Sequence, residues 1–137
     1  GGFTAINSLY KNDLFKAAIC KYPVLDLMKM RINTHRFEKN YLNYLIGSYE
    51  KNKKNYFYRS PINNLHKITK PVLLFHGKQD SVINYVETLN FYQELSKNNK
   101  YCELHLFEDE GHGFKDINNK IKVLSSMEIF LKRVLRL

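Results

Sequence analysis

Apolar positions in this chain fall into runs and spacings that predict alternating strands and helices. Val72-Leu73-Leu74-Phe75-His76, opened by Pro71, is apolar almost throughout with no polar alternation. That pattern marks a strand covered on both faces, as in a parallel sheet. Cys102-Glu103-Leu104-His105-Leu106-Phe107 alternates only in part, as a strand at or near an edge does. Ala17 to Cys20 predicts a third, short, buried strand ending near Tyr22-Pro23. Helical spacing links Tyr85, Leu89, Tyr92 and Leu95, with Lys97-Asn98-Asn99 as the stop. A second stripe of Ile121, Leu124, Met127 or Glu128, Leu131 and Val134 or Leu135 predicts a long C-terminal amphipathic helix. Phe3 to Tyr10 reads as a helix entered through two glycines and broken at Asn12-Asp13. Between Asp26 and Asn64 the pattern is less regular. Leu42, Leu45 and Ile46 predict one or two amphipathic turns after Glu38, stopped by Gly47, and Ser60 is biased away from helix by Pro61. Strands separated by helices of about ten residues or more mean βαβ crossovers, so the class is α/β with three parallel strands and flanking helices.

At 137 residues, 44% of them hydrophobic, the chain is one globular domain at most. It can bury roughly two thirds of its unfolded surface. No run approaches the roughly eighteen apolar residues of a membrane span, so no membrane partner is expected. Cys20 and Cys102 fall in separate predicted strands and read as buried free thiols rather than a disulfide framework. That usage fits a reducing, cytoplasmic compartment.

The net charge of +9 raises the question of nucleic acid. Lysine outnumbers arginine 17 to 5, and the chain holds 15 asparagines. The lysines are scattered singly or in pairs. Only Lys51-Asn52-Lys53-Lys54-Asn55, followed by Tyr56-Phe57-Tyr58, forms a cluster of the kind that contacts phosphates and stacks bases. The scatter favours a solvated lysine-rich surface, and no nucleic-acid partner is expected.

Candidate chemistry sits after the two clearest strands. In an open parallel sheet, ligands bind beyond the carboxyl ends of the strands. Asp80 lies three residues past Gly77, and His112, in Glu110-Gly111-His112-Gly113-Phe114, lies a few residues past Phe107. If the strands are neighbours, both project at one edge. A histidine base needs one ring nitrogen aimed at a nucleophile and a carboxylate on the other, and the order Asp…His is that of the back half of a Ser…Asp…His triad. The glycines flanking His112 are expected to permit a tight loop. Glu108-Asp109-Glu110 reads as a solvated acidic turn. His35, His66, His76 and His105 lack ligand spacing, and no phosphate or dinucleotide loop is present, so neither metal nor cofactor is expected.

With these landmarks go Gly1-Gly2-Phe3-Thr4, Thr34-His35-Arg36-Phe37-Glu38, Tyr41-Leu42 with Leu45-Ile46-Gly47, and Tyr58-Arg59-Ser60-Pro61. Together, in this order, they resemble the C-terminal part of the catalytic domain of the prolyl oligopeptidase family, in its acylaminoacyl peptidase and dipeptidyl aminopeptidase-like branch. The resemblance covers nearly the whole chain. It implies the C-terminal portion of an α/β-hydrolase fold, a serine peptidase acting on peptide or acyl-peptide substrates, and Asp80 and His112 as the acid and base of its triad. It also implies that residues 1–137 are a partial domain cut just after the nucleophile. Gly1-Gly2 would close a Gly-x-Ser-x-Gly-Gly motif whose serine lies two positions ahead of Gly1. No serine from Ser8 to Ser126 has an elbow around it to replace that nucleophile, so the upstream half must supply it, with the oxyanion hole. The chain alone is then expected to be inactive and, with a bare edge on the Ala17–Cys20 strand, marginally stable. A fragment of an esterase or dienelactone hydrolase-like enzyme, or a non-enzymatic interaction module, are the alternatives.

Overall fold

The structure, a computed structural model, describes residues 1–33, 36–99 and 101–136. In chain order it contains α1 (Gly2–Lys11), β1 (Ala18–Lys21), α2 (Leu27–Asn33), α3 (Arg36–Ile46) and α4 (Tyr49–Arg59). A 3₁₀ segment (Pro61–Lys67) leads to β2 (Val72–Gly77), α5 (Tyr85–Ser96), β3 (Cys102–Phe107) and α6 (Ile117–Leu135). Thr34 and His35, part of one sequence landmark, lie outside the described residues.

The three strands run parallel in the order β1-β2-β3. Ala18 stands opposite Val72, and Val72 opposite Cys102. Because strand side chains alternate, this register sorts them by parity. Ala18, Cys20, Val72, Leu74 and Cys102 face one side, against Ile6 and Leu9 of α1 and Phe91 and Leu95 of α5. Leu73, Phe75 and Phe107 face the other, against Val123 and Phe130 of α6. β2 is buried at all of its positions, as its unbroken apolar run requires. Each such large side chain contributes on the order of 1.5–3 kcal/mol by leaving water. Cys20 and Cys102 are free and buried, and burial pushes both thiols up to about 12.

Between β1 and β2 the chain forms a helical layer with its own small core of Leu27, Leu42 and Tyr56. Ser60 ties α2 to the end of α4 within this layer. Its hydroxyl donates to the Tyr56 carbonyl at 2.7 Å and accepts from the Leu27 amide at 3.0 Å. Tyr56 is thus a core residue, while Phe57 and Tyr58 are exposed, so the aromatic triplet beside the lysine cluster is not one stacking surface.

Two helix faces differ from the sequence expectation. The buried face of α5 is Thr88, Phe91 and Leu95, with Leu89 and Tyr92 flanking it. On α6 the buried positions are Val123 and Phe130, with Met127 and Val134 packed beside them. Ile121, Leu124, Leu131 and Leu135 are exposed. α6 carries two apolar stripes of the same period, and the one with the phenylalanine meets the sheet. The outer edge of β1 pairs with no strand among the described residues.

Candidate active site

The adjacency of β2 and β3 brings the loops that follow them together at one end of the sheet. After Gly77 the chain turns sharply, with the Asp80 amide donating to the Gly77 carbonyl at 3.2 Å. Asp80 Oδ1 then accepts from the amides of Val82 at 2.8 Å and Ile83 at 2.9 Å, an Asx turn that fixes the carboxylate. Its other oxygen, Oδ2, lies 2.8 Å from His112 Nδ1. The two residues that sequence reasoning nominated are therefore in contact. An ionised carboxylate only accepts, so Nδ1 carries the proton and donates it to Asp80. In a neutral ring that leaves Nε2 with a free lone pair.

The Asp80 side chain is fully buried and one side of His112 is open. Burial works to raise the Asp80 pKa. The Ile83 amide, His112 and the Val82 amide outweigh it, and the carboxyl is held below its ordinary value. Asp80 is therefore an anion across the neutral range.

The loop carrying His112 is fixed by contacts that the sequence did not announce. Glu110, read as part of a solvated acidic turn, is buried. Its carboxylate accepts from the amides of Lys115 at 2.8 Å and Asp116 at 3.0 Å, and from Asn119 Nδ2 at 3.0 Å. The Lys115 amide leads in holding its pKa below the usual carboxylate range. Glu108, by contrast, is exposed and pairs with Lys78. The Gln79 amide donates to the Glu110 carbonyl at 2.9 Å, stitching the Asp80 turn to the His112 loop. Of the flanking glycines, Gly113 has a φ of +135°, which side chains rarely adopt. Gly111 has only ordinary contacts around the place a Cβ would take, so its role is not steric.

Aromatic rings support the imidazole. Tyr22 lies 4.5 Å from the His112 ring, centroid to centroid, and 5.7 Å from Phe114, which in turn meets Phe107 at 5.0 Å. Tyr22 is non-glycine at φ +39°, a strained conformation. Its amide donates to the Phe75 carbonyl at 2.7 Å, which holds it at the end of β1. His112 opens on a cleft of about 620 Å³ shared with Gly1, Phe3, Tyr22, Val24 and Ile83. Helix α1 thus begins at the wall of the cavity that the imidazole faces.

One further residue was missed. His76, fully buried in β2, places Nε2 3.2 Å from Asp80 Oδ2 and 3.0 Å from the Ile83 carbonyl. Its Nδ1 lies 2.8 Å from the Thr88 hydroxyl. A histidine four residues ahead of the aspartate was the available signal. His105 lies against the Phe75 ring at 5.3 Å, as a packing residue.

A parallel sheet with helices on both faces and an Asp–His contact at one end of it belongs to the α/β-hydrolase architecture. The family model described as "Prolyl oligopeptidase family" matches residues 1–137. The chain belongs to that family. A relative, dipeptidyl peptidase family member 6 of Caenorhabditis elegans, is 30% identical over 77 residues, 56% of this chain and 10% of that protein. The crystal structure of puromycin hydrolase superposes with a TM-score of 0.91 at 30% identity, over 100% of this chain and 21% of that one. An acylaminoacyl peptidase of Pyrococcus horikoshii shares the fold, with a TM-score of 0.79 at 22% identity over 96% of this chain and 22% of that one. The chain thus spans about a tenth to a fifth of the length of these relatives. No described helix is long and apolar enough to cross a membrane.

Proposed function

We propose that residues 1–137 are the C-terminal part of a serine peptidase catalytic domain, supplying the acid and base of its triad. Asp80 holds the His112 ring in the Nδ1–H tautomer and stabilises the imidazolium that forms when Nε2 takes a proton from an alcohol. The alcohol comes from a serine in a Gly-x-Ser-x segment joined ahead of Gly1. It therefore lies at the start of α1 and reaches the cleft that His112 faces. One oxyanion donor is the backbone N–H just after that serine, and the other comes from a loop further upstream. Peptides or N-acylated peptides are the proposed substrates, in keeping with the dipeptidyl peptidase and the acylaminoacyl peptidase that the chain resembles. The observation that carries the reading is the 2.8 Å contact from His112 Nδ1 to Asp80 Oδ2, at the mouth of a cleft that α1 also lines.

Loss of a triad nucleophile costs about a million-fold in rate, and loss of one oxyanion donor another hundred- to thousand-fold. Residues 1–137 alone are thus expected to turn over no acylated chromogenic amino acid. The natural polypeptide extended upstream through the nucleophile segment is expected to do so, and His112→Ala to abolish it. Coding sequence ahead of Gly1 that lacks Gly-x-Ser-x sinks the reading. Turnover by the short chain that His112→Ala removes shows that the nucleophile is internal.

A further inference from the structure

Asp80 Oδ2 receives two imidazoles, and only one of them is explained by the triad. His76 lies on β2 at an even-numbered position, which directs it toward α5, where Thr88 is buried. Its Nε2 faces two acceptors, Asp80 Oδ2 and the Ile83 carbonyl, so Nε2 carries the proton. Nδ1 then accepts from the Thr88 hydroxyl. Asp80 and His112 are the charged or titratable groups that act on it, and burial, the larger influence, keeps the ring neutral.

We propose that His76 is a positioning residue for the triad: its Nε2–H steers Asp80 Oδ2 so that the carboxylate meets His112 Nδ1–H, while Thr88 and the Ile83 carbonyl lock His76 in the tautomer able to do this. The Asx turn fixes only Oδ1. Without a second anchor the carboxylate can rotate about the bond to its Cβ and take Oδ2 away from His112. A lysine or arginine in place of His76 would anchor Oδ2 equally well but neutralise the charge that the imidazolium needs. A neutral donor orients the carboxylate and leaves that charge in place. Ile83 serves twice, its amide on Oδ1 and its carbonyl on His76, so one residue sets both ends of the carboxylate.

The kinetic readout of this inference rests on the serine-peptidase reading, and its structural readout does not. In the full polypeptide carrying residues 1–137, active sites are counted by the end point of labelling with a fluorophosphonate, and kcat is measured per labelled site. His76→Phe keeps the ring and removes both nitrogens. It is expected to lower kcat roughly 10- to 100-fold, the size of one lost hydrogen bond to a charged group, with KM unchanged. His76→Gln returns an N–H near the Nε2 position and is expected to recover most of the loss. A purely structural role predicts the reverse, fewer labelled sites and an unchanged kcat at each, and that result overturns the proposal. Should His76→Phe not fold, Thr88→Val, which keeps the ring, is read in the same way. If the wild-type protein labels and hydrolyses nothing, it is the peptidase reading that has failed. Crystal structures of wild type and variant then decide the inference. An Asp80–His112 contact that opens in His76→Phe and closes in His76→Gln supports it, and one that stays at 2.8 Å in both overturns it.

Discussion

Gly77 and Glu110 meet where β2 and β3 run out: a methyl group on Gly77 would stand 2.1 Å from the Glu110 carbonyl oxygen and 2.4 Å from its carbonyl carbon. Both obstructing atoms are backbone, so no rotamer change relieves the clash. The same two segments carry Asp80 and His112, and the Gln79–Glu110 bond holds them side by side. Gly77→Ala must push them apart. The expected cost is about 1–3 kcal/mol, as for overpacking a tight site, with a loss of turnover in the extended polypeptide. Urea unfolding midpoints check the first part; an unchanged midpoint means the loops do not need this approach.

Asp80→Asn is a harsher change than its size suggests. Oδ1 faces two backbone N–H groups, and Oδ2 faces the N–H groups of His112 and His76. An amide has one acceptor end, so either orientation sets its NH₂ against donors. With the oxygen on the turn side, His112 must give up its Nδ1 proton and present the wrong tautomer. Turnover is expected to fall about 10⁴-fold, the size that follows from a wrong tautomer at this position. Stability is expected to fall by roughly 1.5–3 kcal/mol, the range for hydrogen bonds to a charged group. Kinetics and denaturant titration of the same variant measure both, and a variant as active as wild type removes Asp80 from the mechanism.

The parts of this fold that could be read from the sequence are those where one physical demand dominates. β2 had to be covered on both faces because nothing in Val72–Phe75 tolerates water, and the neighbour relation with β3 then put Asp80 and His112 at one edge. α4 was not legible, because its eleven residues bury only Tyr56 and it bends at Asn52. The Ser60 hydroxyl, bonded to the Tyr56 carbonyl four residues back, also accepts from the distant Leu27 amide, and no local pattern reports that second bond. Glu110 looked like its neighbours Glu108 and Asp109. Its distinction is three donors, the Lys115 and Asp116 amides just ahead of α6 and the Asn119 amide group in its first turn. His76 looked like a packed histidine in a strand, because its partners Ile83 and Thr88 reach it only once α5 folds back onto β2.

Acid should unfold the chain in two stages. His76 is buried neutral, with its pKa held below the ordinary 6.5 by that burial. Above about pH 6.5 neither the folded nor the unfolded form carries the proton and full stability is present. Below it the unfolded chain binds the proton first, and stability declines as pH falls toward the folded value, by at most about 1.4 kcal/mol per pH unit. Glu110 and Asp80 have pKa values depressed below 4.5 and 3.8, so their contributions are present above those values and are lost as pH falls through the folded ones. His76→Phe should remove the first stage and leave the second. Urea unfolding at about pH 8, 5.5 and 3.5 tests the order; a wild-type stability flat from about pH 8 to 5 contradicts a buried neutral His76.

Two adjacent residues on α6 separate the sequence reading of that helix from the structure. Val123 is buried against Leu73 and Phe75, whereas Leu124 is exposed with Ile117, Ile121, Leu131 and Leu135 along one open face. The spacing of the open set is as helical as that of the buried one, and periodicity alone selects Leu124 for the core. Val123→Lys places a charge against the sheet and is expected to cost roughly 3 kcal/mol or more. Leu124→Lys replaces a side chain that is mostly exposed, and its unfolding free energy should stay within about 0.5 kcal/mol of wild type. An open apolar stripe of this kind favours self-association, as does an edge of β1 that pairs with no strand among the described residues. Leu124→Lys with Ile121→Lys should therefore shift the short chain toward monomer in sedimentation velocity. If Leu124→Lys unfolds the chain and Val123→Lys does not, α6 sits on the sheet by its other face.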